Sequence, residues 1–259
     1  MTITPSILEA FRLDHKIALV TGASAGIGAS IAVALAQAGA TVACHGNSRP
    51  AEATANDISV AGGQASAFSA DLSSTTGAQE LFDQVIAEYG RIDILVNNAG
   101  IIVRHEAVDF PFEEWQKVMQ VNLNSVFQLS QLVGRSLIAR NAPGKIINIA
   151  SLLSFQGGIR VPAYAASKGG VAQLTKALAN EWASKGIQVN AIAPGYIATD
   201  NTAALRSDET RNRQIIERIP AGRWGDPIDI AGTAVFLASA AANYISGVVL
   251  NVDGGWLAR

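Results

Sequence analysis

Residues 16–28 read KIALVTGASAGIG, a short aliphatic run followed by three glycines in the spacing G-xxx-G-x-G. An apolar helix is predicted to begin inside the glycine-rich turn, at residue 27. Glycines permit a tight turn, and the free N–H groups and dipole of a helix N-terminus favour an anion such as a pyrophosphate. The spacing is not the G-x-G-x-x-G of most dinucleotide-binding turns, so a turn needed only for packing stays an alternative.

The same alternation of aliphatic runs and helix-length segments continues along the chain. Aliphatic and β-branched runs without polar alternation predict strands buried on both faces, at 16–20, 41–45, 64–68, 93–97, 145–150, 187–193 and 247–252. Helices are predicted at 27–38, 51–61, 75–89, 112–139, 163–184 and 227–240. We expect an α/β fold with a Rossmann-like, doubly wound, seven-stranded parallel sheet and helices on both faces, in a single domain over residues 1–259.

One segment interrupts this alternation. Residues 196–225 are polar and rich in charge, and they lie between the sixth predicted strand and the last predicted helix. Long excursions of this sort are usually lids or binding loops. We therefore predict a substrate lid at about 196–225.

Composition limits the possible classes of function. The 259 residues carry a net charge of −2, which provides no basic field for nucleic acid. The single cysteine, Cys44, excludes an internal disulfide and suits a reducing compartment, and the three histidines lack the spacing of metal ligands. The start MTITPSILEAFRLDHK lacks the features of a signal peptide, and no apolar run approaches the roughly 20 residues of a membrane span. We expect a cytoplasmic protein without a membrane or nucleic-acid partner and without a catalytic metal.

Polar residues follow the third and fourth predicted strands. Asp71 comes after the third, and Asn97-Asn98-Ala99-Gly100 comes at the end of the fourth. Because ligands of doubly wound sheets lie across the carboxyl ends of the strands, we expect these residues beside the glycine-rich turn. Asp71 is expected either to accept a hydrogen bond from an adenine amino group or to cap a helix. The two amides are expected to tie loops together.

The second predicted strand runs into VACHGNSRP, residues 42–50, where a dinucleotide enzyme is expected to carry a ribose-binding acid. No acid is present, and Ser48 and Arg49 follow instead. These two side chains suit the 2′-phosphate of NADPH, with which an acid would clash. We therefore expect NADPH/NADP as the cofactor and NADH/NAD as the weaker alternative. The competing interpretation is that Arg49 only caps a solvent-facing loop.

Candidate groups for catalysis lie in the second half of the chain. Tyr164 and Lys168 are four residues apart on a predicted helix, so they share one face. A nearby positive charge favours the phenolate and lowers the tyrosine pKa from its ordinary value of about 10. Ser151, at the end of a strand, is placed to hydrogen-bond a substrate carbonyl, and Asn122 is a polar group on an otherwise apolar helix. The Y-xxx-K spacing alone also fits an exposed helix pair.

In order and spacing, these motifs resemble those of the short-chain dehydrogenase/reductase family over nearly the full length: TGASAGIG (21–28), NNAG (97–100), Asn122, Ser151, Tyr164, Lys168 and Pro194-Gly195. The resemblance implies that Tyr164 protonates a carbonyl oxygen as hydride arrives, while Lys168 lowers its pKa and holds the nicotinamide ribose. It implies that Ser151 orients the carbonyl and Asn122 anchors a water of the proton relay.

The expected cofactor-binding set is larger than the catalytic one. It comprises Gly22, Ser24, Gly26, Ile27, Gly28, Asn47, Ser48, Arg49, Asp71, Leu72, Asn98, Ala99, Gly100, Tyr164, Lys168, Pro194, Gly195, Ile197 and Thr199. The resemblance also implies a homotetramer assembled through the helices at 112–139 and 163–184.

Three further stretches, IASLLSFQGGIRVPAYAASKGGV, IPAGRWG and VDGGWLAR, resemble the branch of the family with 2-dehydro-3-deoxy-D-gluconate 5-dehydrogenases and reductases of 4-deoxy-5-hexulose uronate. The likeness implies a small keto sugar acid as substrate. Arginine forks suit its carboxylate and an amide suits its hydroxyls, although a loop arginine equally often faces water. The expected substrate-binding set is Arg104, Ser151, Gln156, Arg160 and Tyr164.

Several other polar residues are expected to lie outside the site. Four arginines of the lid stand among acidic residues and are expected to form a solvated face: Arg206, Arg211, Arg213 and Arg218. Trp256 and Arg259 are expected to pack across a subunit boundary, and Cys44 and His45 to end a strand in the core.

Taken together, these features predict an NADPH-dependent carbonyl reductase that converts a 5-keto-4-deoxyuronate to 2-keto-3-deoxy-D-gluconate in alginate or pectin breakdown. The alternative within the same class is an NAD-dependent 2-dehydro-3-deoxy-D-gluconate 5-dehydrogenase or 2-deoxy-D-gluconate 3-dehydrogenase. The alternative from another class is a nucleotide-sensing protein that kept the fold and lost turnover. The intact Ser151, Tyr164 and Lys168 argue against that last alternative.

Overall fold

A parallel sheet forms the centre of the computed structural model, which describes residues 6–259. Its strands are β1 Ile17–Val20, β2 Thr41–Gly46, β3 Gln64–Ser69, β4 Ile94–Asn97, β5 Gly144–Ile149, β6 Ile187–Pro194 and β7 Val249–Val252. Their order across the sheet is β3-β2-β1-β4-β5-β6-β7, so the predicted doubly wound, seven-stranded sheet is confirmed. Residues 1–5 lie outside the described residues. They belong to the N-terminal stretch for which the sequence predicts no signal peptide.

Helices cover both faces of the sheet. They are α1 Gly26–Gln37, α2 Glu52–Val60, α3 Gly77–Tyr89, α4 Phe112–Met119, α5 Ser125–Ala139, α6 Pro162–Trp182, α7 Ala203–Ser207, α8 Glu209–Arg218 and α9 Pro227–Ala238. None of these described helices combines the length and apolar character needed to cross a membrane.

Two hydrophobic cores sandwich the sheet. On one face Ile31 of α1, Ile58 of α2 and Ile230 of α9 are buried together, and on the other Leu81 of α3 packs near Leu129 of α5. Each fully buried aliphatic side chain of this kind contributes about 1.5–3 kcal/mol. Because neighbouring residues of the inner strands β1, β2, β4, β5 and β6 point to opposite cores, these strands have no polar face, which explains their aliphatic runs. The edge strands β3 and β7 are only partly buried, so the prediction of burial on both faces is wrong for them.

The long helix predicted at 112–139 is divided by a π-helical turn at Gln120–Asn124. Asn122 lies in this turn, where its Oδ1 accepts from Ile101 N (2.8 Å) and its Nδ2 donates to Ile101 O (2.9 Å). These two bonds join the Asn122 carboxamide to the loop after β4. The π-helical turn that carries Asn122 lies between α4 and α5. Inserted turns of this type are frequent at functional sites.

The segment predicted as a lid contains two helices, α7 and α8, preceded by a short 3-10 turn at Asp200–Thr202. Sequence periodicity does not reveal α8, because Ile215 is its one buried residue in a helix otherwise rich in charge. Asp208 caps α8 by accepting from Arg211 N at 3.0 Å. The segment is therefore a helical arm and not an irregular loop.

The strand order reverses between β1 and β4. The chain leaves β1 toward β2 on one side, whereas β4 continues toward β5 on the other, so crossovers lie on opposite faces. A crevice opens at the carboxyl ends of these two strands, as in other doubly wound sheets. The glycine-rich turn after β1 and the NNAG run after β4 both border it, as the sequence predicts.

Lys145 lies buried at the start of β5, at the amino ends of the strands and away from this crevice. Its Nζ donates to Asn243 Oδ1 at 2.8 Å, and among residues 6–259 no carboxylate forms an ion pair with it. Burial, and next the charge of Lys16, lower the pKa of Lys145 from 10.5 to about 8. A folded pKa below the ordinary value means that the charged form destabilises the fold.

Replacing Lys145 with methionine should therefore stabilise the protein at neutral pH. We expect the free energy of unfolding of Lys145→Met to exceed that of the wild type by about 1–3 kcal/mol at about pH 7. Below about pH 8, Lys145 is protonated in both the folded and the unfolded wild type, so the gain in stability of the variant is complete. Between about pH 8 and 10.5, Lys145 is protonated only in the unfolded wild type, so the gain becomes smaller as the pH rises. Chemical denaturation at about pH 7 and about pH 9.5 measures it.

The matched control is Lys185→Met, because Lys185 is exposed at the same end of the sheet. Its stability relative to the wild type should not change over this pH range. A difference for Lys145→Met that stays constant with pH would contradict the assignment of the effect to the charge.

Candidate active site

A cavity of about 1380 Å³ lies over the carboxyl ends of the strands and under the lid helices. Most of the predicted site residues line it: Gly22, Ser24, Gly26, Ile27, Gly28, Ser48, Arg49, Asn98, Ala99, Gly100, Arg104, Ser151, Gln156, Tyr164, Lys168, Pro194, Gly195, Ile197 and Thr199. Five predicted residues are not among its lining: Asn47, Asp71, Leu72, Asn122 and Arg160. The structure thus brings the glycine turn and the Tyr164 region to one cavity.

The glycine turn forms a cradle that side chains would fill. Gly22 and Gly26 adopt φ angles of 65° and 56°, which L side chains rarely adopt. A Cβ at Gly28 would lie 2.1 Å from Gly22 O. The N-cap of α1 is Ala25, which provides no capping side chain. The N–H groups of the first turn are therefore left for an anion, and the cradle fits the pyrophosphate of a dinucleotide.

Thr21 and Asn98 fasten the loop after β4 to the glycine turn. Asn98 Nδ2 donates to Thr21 O (2.9 Å) and Gly22 O (3.1 Å), and Thr21 Oγ1 accepts from Asn98 N (2.9 Å) and Ala99 N (3.0 Å). This confirms for Asn98 the expectation that the two amides tie loops together, which is wrong for Asn97. Asn97 instead points into the core, where its Nδ2 donates to Asn148 Oδ1 at 2.9 Å.

His45 supports the same turn, a role that the sequence did not reveal. Its Nδ1 accepts from Gly22 N (3.3 Å), and its Nε2 faces Ala70 O (3.0 Å). Burial lowers the pKa of His45, so the ring is neutral and the two partners select the tautomer with the proton on Nε2. The available signal was its position: a histidine on β2, the strand next to β1 and its glycine turn.

Arg49 and Ser48 lie at the outer end of the cavity, beyond β2. Arg49 Nη1 pairs with Asp200 Oδ2 of the lid segment at 2.8 Å, and both side chains are largely exposed. Asp71 is not among the residues that line the cavity: it accepts from Asn47 Nδ2 (3.0 Å) and from Ser73 N (2.9 Å). Hydrogen bonds from Ser73 lower the pKa of Asp71. It fastens two loops and does not cap α3, which begins at Gly77 after Thr76.

Tyr164 and Lys168 face the cavity from the first turns of α6. Burial raises the pKa of Tyr164, while the Ser151 hydroxyl and the charge of Arg104 lower it. Lys168 Nζ lies 5.7 Å from the Tyr164 ring centre and donates to Ile149 O at 2.6 Å. Burial lowers the pKa of Lys168 to about 8. The charge of Arg104 acts on the phenol, and the expected effect of Lys168 on the pKa of Tyr164 stays a prediction.

Asn122 lies behind this group. Besides its two bonds to Ile101, its Nδ2 donates to Ser167 Oγ at 3.2 Å. A Cβ added to Gly100 would stand 3.3 Å from Asn122 Oδ1 and 3.7 Å from Lys168 Nζ, so the three residues are close neighbours. Asn122 thus holds the loop after β4 next to the lysine, and its relay water stays a prediction.

The expected substrate residues separate into two groups. Arg104, Gln156, Ser151 and Tyr164 line the cavity, whereas Arg160 pairs with Glu106 at 3.2 Å outside it.

Arg211 and Arg218 are exposed, as the prediction of a solvated face expects, and they also line the cavity, because α8 lies across its opening. Trp256 also lines it and is buried within its own chain, so the predicted subunit contact of this residue is wrong. Arg259 donates to Glu217 O of the same chain at 2.7 Å. The part of the chain described contains no group of three His, Cys, Asp or Glu placed to hold a metal ion.

Comparison with known proteins agrees with this geometry. The sequence profile of the family described as Enoyl-(Acyl carrier protein) reductase matches residues 22–257. The 2-dehydro-3-deoxy-D-gluconate 5-dehydrogenase of Bacillus subtilis (strain 168) is 56% identical over 251 residues, covering 97% of this chain and 98% of the relative.

Solved structures agree as well. One from Agrobacterium tumefaciens with bound NADP is 56% identical, with a TM-score of 0.91, and the match covers 96% of this chain and 99% of that one. The gluconate 5-dehydrogenase from Burkholderia cenocepacia J2315, in complex with NADP and tartrate, is 40% identical, with a TM-score of 0.92 and coverage of 98% and 100%.

Replacing Arg104 with glutamine should raise the pKa of Tyr164, because it removes the positive charge that favours the phenolate. We expect the midpoint of the Tyr164 titration to lie at a higher pH in Arg104→Gln than in the wild type. The ultraviolet absorbance of tyrosinate, titrated in parallel with a Tyr164→Phe protein and subtracted, reports this residue alone. The control is Arg160→Gln, since Arg160 is paired with Glu106 outside the cavity. Equal pKa values for Tyr164 in both variants and the wild type would contradict the role of Arg104.

Proposed function

The chain belongs to the short-chain dehydrogenase/reductase family, and from this premise we propose that it is an NADP-dependent oxidoreductase of a sugar acid, acting at C5 of 2-dehydro-3-deoxy-D-gluconate. The observation that carries the proposal is the single cavity that joins the glycine cradle to Tyr164, Ser151 and Lys168. The name of the Bacillus relative, which matches almost end to end, supports the choice of substrate.

This proposal reverses the order of the two enzyme hypotheses drawn from the sequence. The first hypothesis was reduction of a 5-keto-4-deoxyuronate to 2-keto-3-deoxy-D-gluconate, which is the same compound as 2-dehydro-3-deoxy-D-gluconate. It has less support than oxidation of this compound at C5, the reaction that the name of the Bacillus relative gives. Both reactions involve a six-carbon keto acid, so the motifs that suggested the branch do not separate them. The sensor hypothesis has no support in the site, because its acid–base groups all line the cavity.

The residues present fit the dinucleotide. The first turn of α1 would hold the pyrophosphate, and Pro194, Ile197 and Thr199 would line the nicotinamide end. When bound, NADP supplies the hydride acceptor for oxidation of the C5 carbon. Tyr164, once ionised against the effect of its burial, would accept the hydroxyl proton as the hydride leaves, and Ser151 would hold the same oxygen. Lys168 donates to Ile149 O and so is fixed at the floor of the cavity beside the phenol.

The choice of NADP over NAD rests on the end of β2. No carboxylate follows the strand to accept from a ribose, and Arg49 stands free of the core at the cavity rim. Its partner Asp200 is 85% exposed, and an ion pair that open to water contributes little stability. A 2′-phosphate with its greater charge would displace Asp200 from the guanidinium. The NADP bound in the Agrobacterium structure supports this cofactor.

Assembly and location complete the proposal. We propose a homotetramer built on α4, α5 and α6 and a cytoplasmic setting, the compartment in which NADP-linked sugar-acid metabolism takes place. Exposed aromatic and aliphatic side chains on α4 and α5 support the assembly: Phe112, Phe127 and Ile138.

Oxidation of 2-dehydro-3-deoxy-D-gluconate with NADP, followed by NADPH absorbance, tests the proposed activity. We expect turnover by the wild type and a loss of about 1000-fold or more in kcat for Tyr164→Phe, since the variant cannot accept the proton. NADPH binding, measured by fluorescence, should be unchanged in Tyr164→Phe. Reduction of the 5-keto-4-deoxyuronate, measured side by side, should be slower in kcat/KM.

If the wild type has a higher kcat/KM for the 5-keto-4-deoxyuronate, the result would support the first hypothesis, reduction of that compound, over the proposed one. Activity of Tyr164→Phe equal to that of the wild type would refute the assigned base. A protein that binds NADPH but turns over neither acid would favour the sensor.

Replacing Arg49 with glutamate should change the cofactor preference. We expect the Kd for NADPH to rise about 30-fold or more while that for NADH changes by less than about 3-fold, because the new carboxylate repels the 2′-phosphate alone. Lys185→Glu makes the same change of charge far from the cavity and should alter neither. Equal weakening of both cofactors in Arg49→Glu would show that Arg49 only shapes the loop.

A further inference from the structure

The lid side of the cavity carries positive charge that the proposed proton and hydride transfers do not use. Arg211 and Arg218 of α8 line this wall. Within residues 6–259 the acidic residues that line the cavity are Asp57 and Asp200, and Asp200 pairs with Arg49 at the cofactor end. Arg218 has no carboxylate at ion-pair distance in the part of the chain described. The substrate end is therefore cationic without internal compensation.

Arg218 packs against the ring of Trp256. Its guanidinium carbon lies 4.0 Å from the centre of the indole ring, a cation–π stack. A guanidinium that lies flat on an aromatic ring keeps its N–H edges free, and those edges match the two oxygens of a carboxylate. Arg211 differs, because its Nη1 donates to Gln214 Oε1 at 3.0 Å. Of these two arginines, Arg218 therefore has the more N–H groups available to bind a carboxylate.

Trp256 is itself fixed from several sides. It is 4% exposed, and its ring centre lies 4.6 Å from that of Tyr196. Its Nε1 donates to Gln156 Oε1 at 3.4 Å. The turn that presents it is fastened by Asp253, which accepts from Gly255 N (2.9 Å) and Leu257 N (3.0 Å). The indole is therefore a rigid support for the arginine.

We propose that Arg218, positioned by Trp256, binds the carboxylate of the substrate and makes the enzyme selective for keto acids over neutral ketoses. This inference rests on the proposed function, since it assigns the far end of the same substrate. In an extended six-carbon acid, C1 and C5 are roughly 5 Å apart, given C–C bonds of about 1.5 Å. The carboxylate must then be bound away from the reacting carbon, and Arg218 lines the wall of the cavity formed by α8, whereas Tyr164 lies on α6.

The test compares two substrates in the full-length enzyme. The first is 2-dehydro-3-deoxy-D-gluconate, and the second is 3-deoxy-D-fructose, in which a hydroxymethyl group replaces the carboxylate. For Arg218→Gln we expect kcat/KM to fall about 10- to 100-fold on the acid, mainly through KM, and less than about 3-fold on the neutral ketose. Trp256→Leu should lower kcat/KM for the acid in the same sense, whereas Trp256→Phe keeps an aromatic face and should retain more of it.

The matched control is Arg213→Gln, on the same helix. Arg213 faces Glu217 at 3.9 Å and does not line the cavity, so both substrates should be unaffected. A second readout is calorimetric binding of the acid to the enzyme–NADPH complex, which should weaken in Arg218→Gln while NADPH binding itself does not change.

The outcomes separate this inference from the proposed function. Equal losses on the acid and the neutral ketose, or full activity of Arg218→Gln on the acid, would overturn the role of Arg218 and leave the oxidoreductase intact. A wild type that turns over no sugar acid would overturn the proposed function instead. A loss confined to the acid, with weakened binding of the acid and unchanged NADPH binding, supports the inference.

Discussion

The hydrogen bonds from the Asn98 carboxamide to Thr21 O (2.9 Å) and Gly22 O (3.1 Å) are the constraint on which the cavity depends. They cross the point where the sheet changes direction, between the loop after β1 and the loop after β4. Because these carbonyls accept from Asn98, the N–H groups of the first turn of α1 are the backbone groups of the glycine turn that are left for an anion. The same approach leaves no room beside Gly28, whose absent Cβ would stand 2.1 Å from Gly22 O. One side chain thus sets both the shape and the polarity of the anion site.

The elements that the sequence predicted well are those whose signal is local. A strand buried on both faces needs a continuous aliphatic run, and β1, β4 and β5 have one. The Tyr164 and Lys168 pair follows from helical spacing alone, and both residues line the cavity.

The elements that the sequence missed depend on contacts between distant residues. The Arg49–Asp200 pair joins positions 151 residues apart, and no local pattern marks either partner. The stacking of Arg218 on Trp256 likewise joins α8 to the C-terminal turn, and no local pattern in this charged helix marks the contact. The π-helical turn at Asn122 follows from its bonds to Ile101, 21 residues earlier in the chain. Such features become visible only once the fold brings the partners together.

The two ends of the cavity use arginine differently, and the surroundings explain the difference. Arg49 pairs with Asp200 in the open, where water screens the charges and the contact contributes at most about 1 kcal/mol, so a bound phosphate can replace it. Arg218 rests on a buried indole, a contact that favours one orientation of its guanidinium. Both contacts involve the segment predicted as a lid, through Asp200 at its beginning and Arg218 at the end of α8. The exchangeable contact suits a cofactor that must enter and leave, and the fixed contact suits recognition of one substrate group in a constant place.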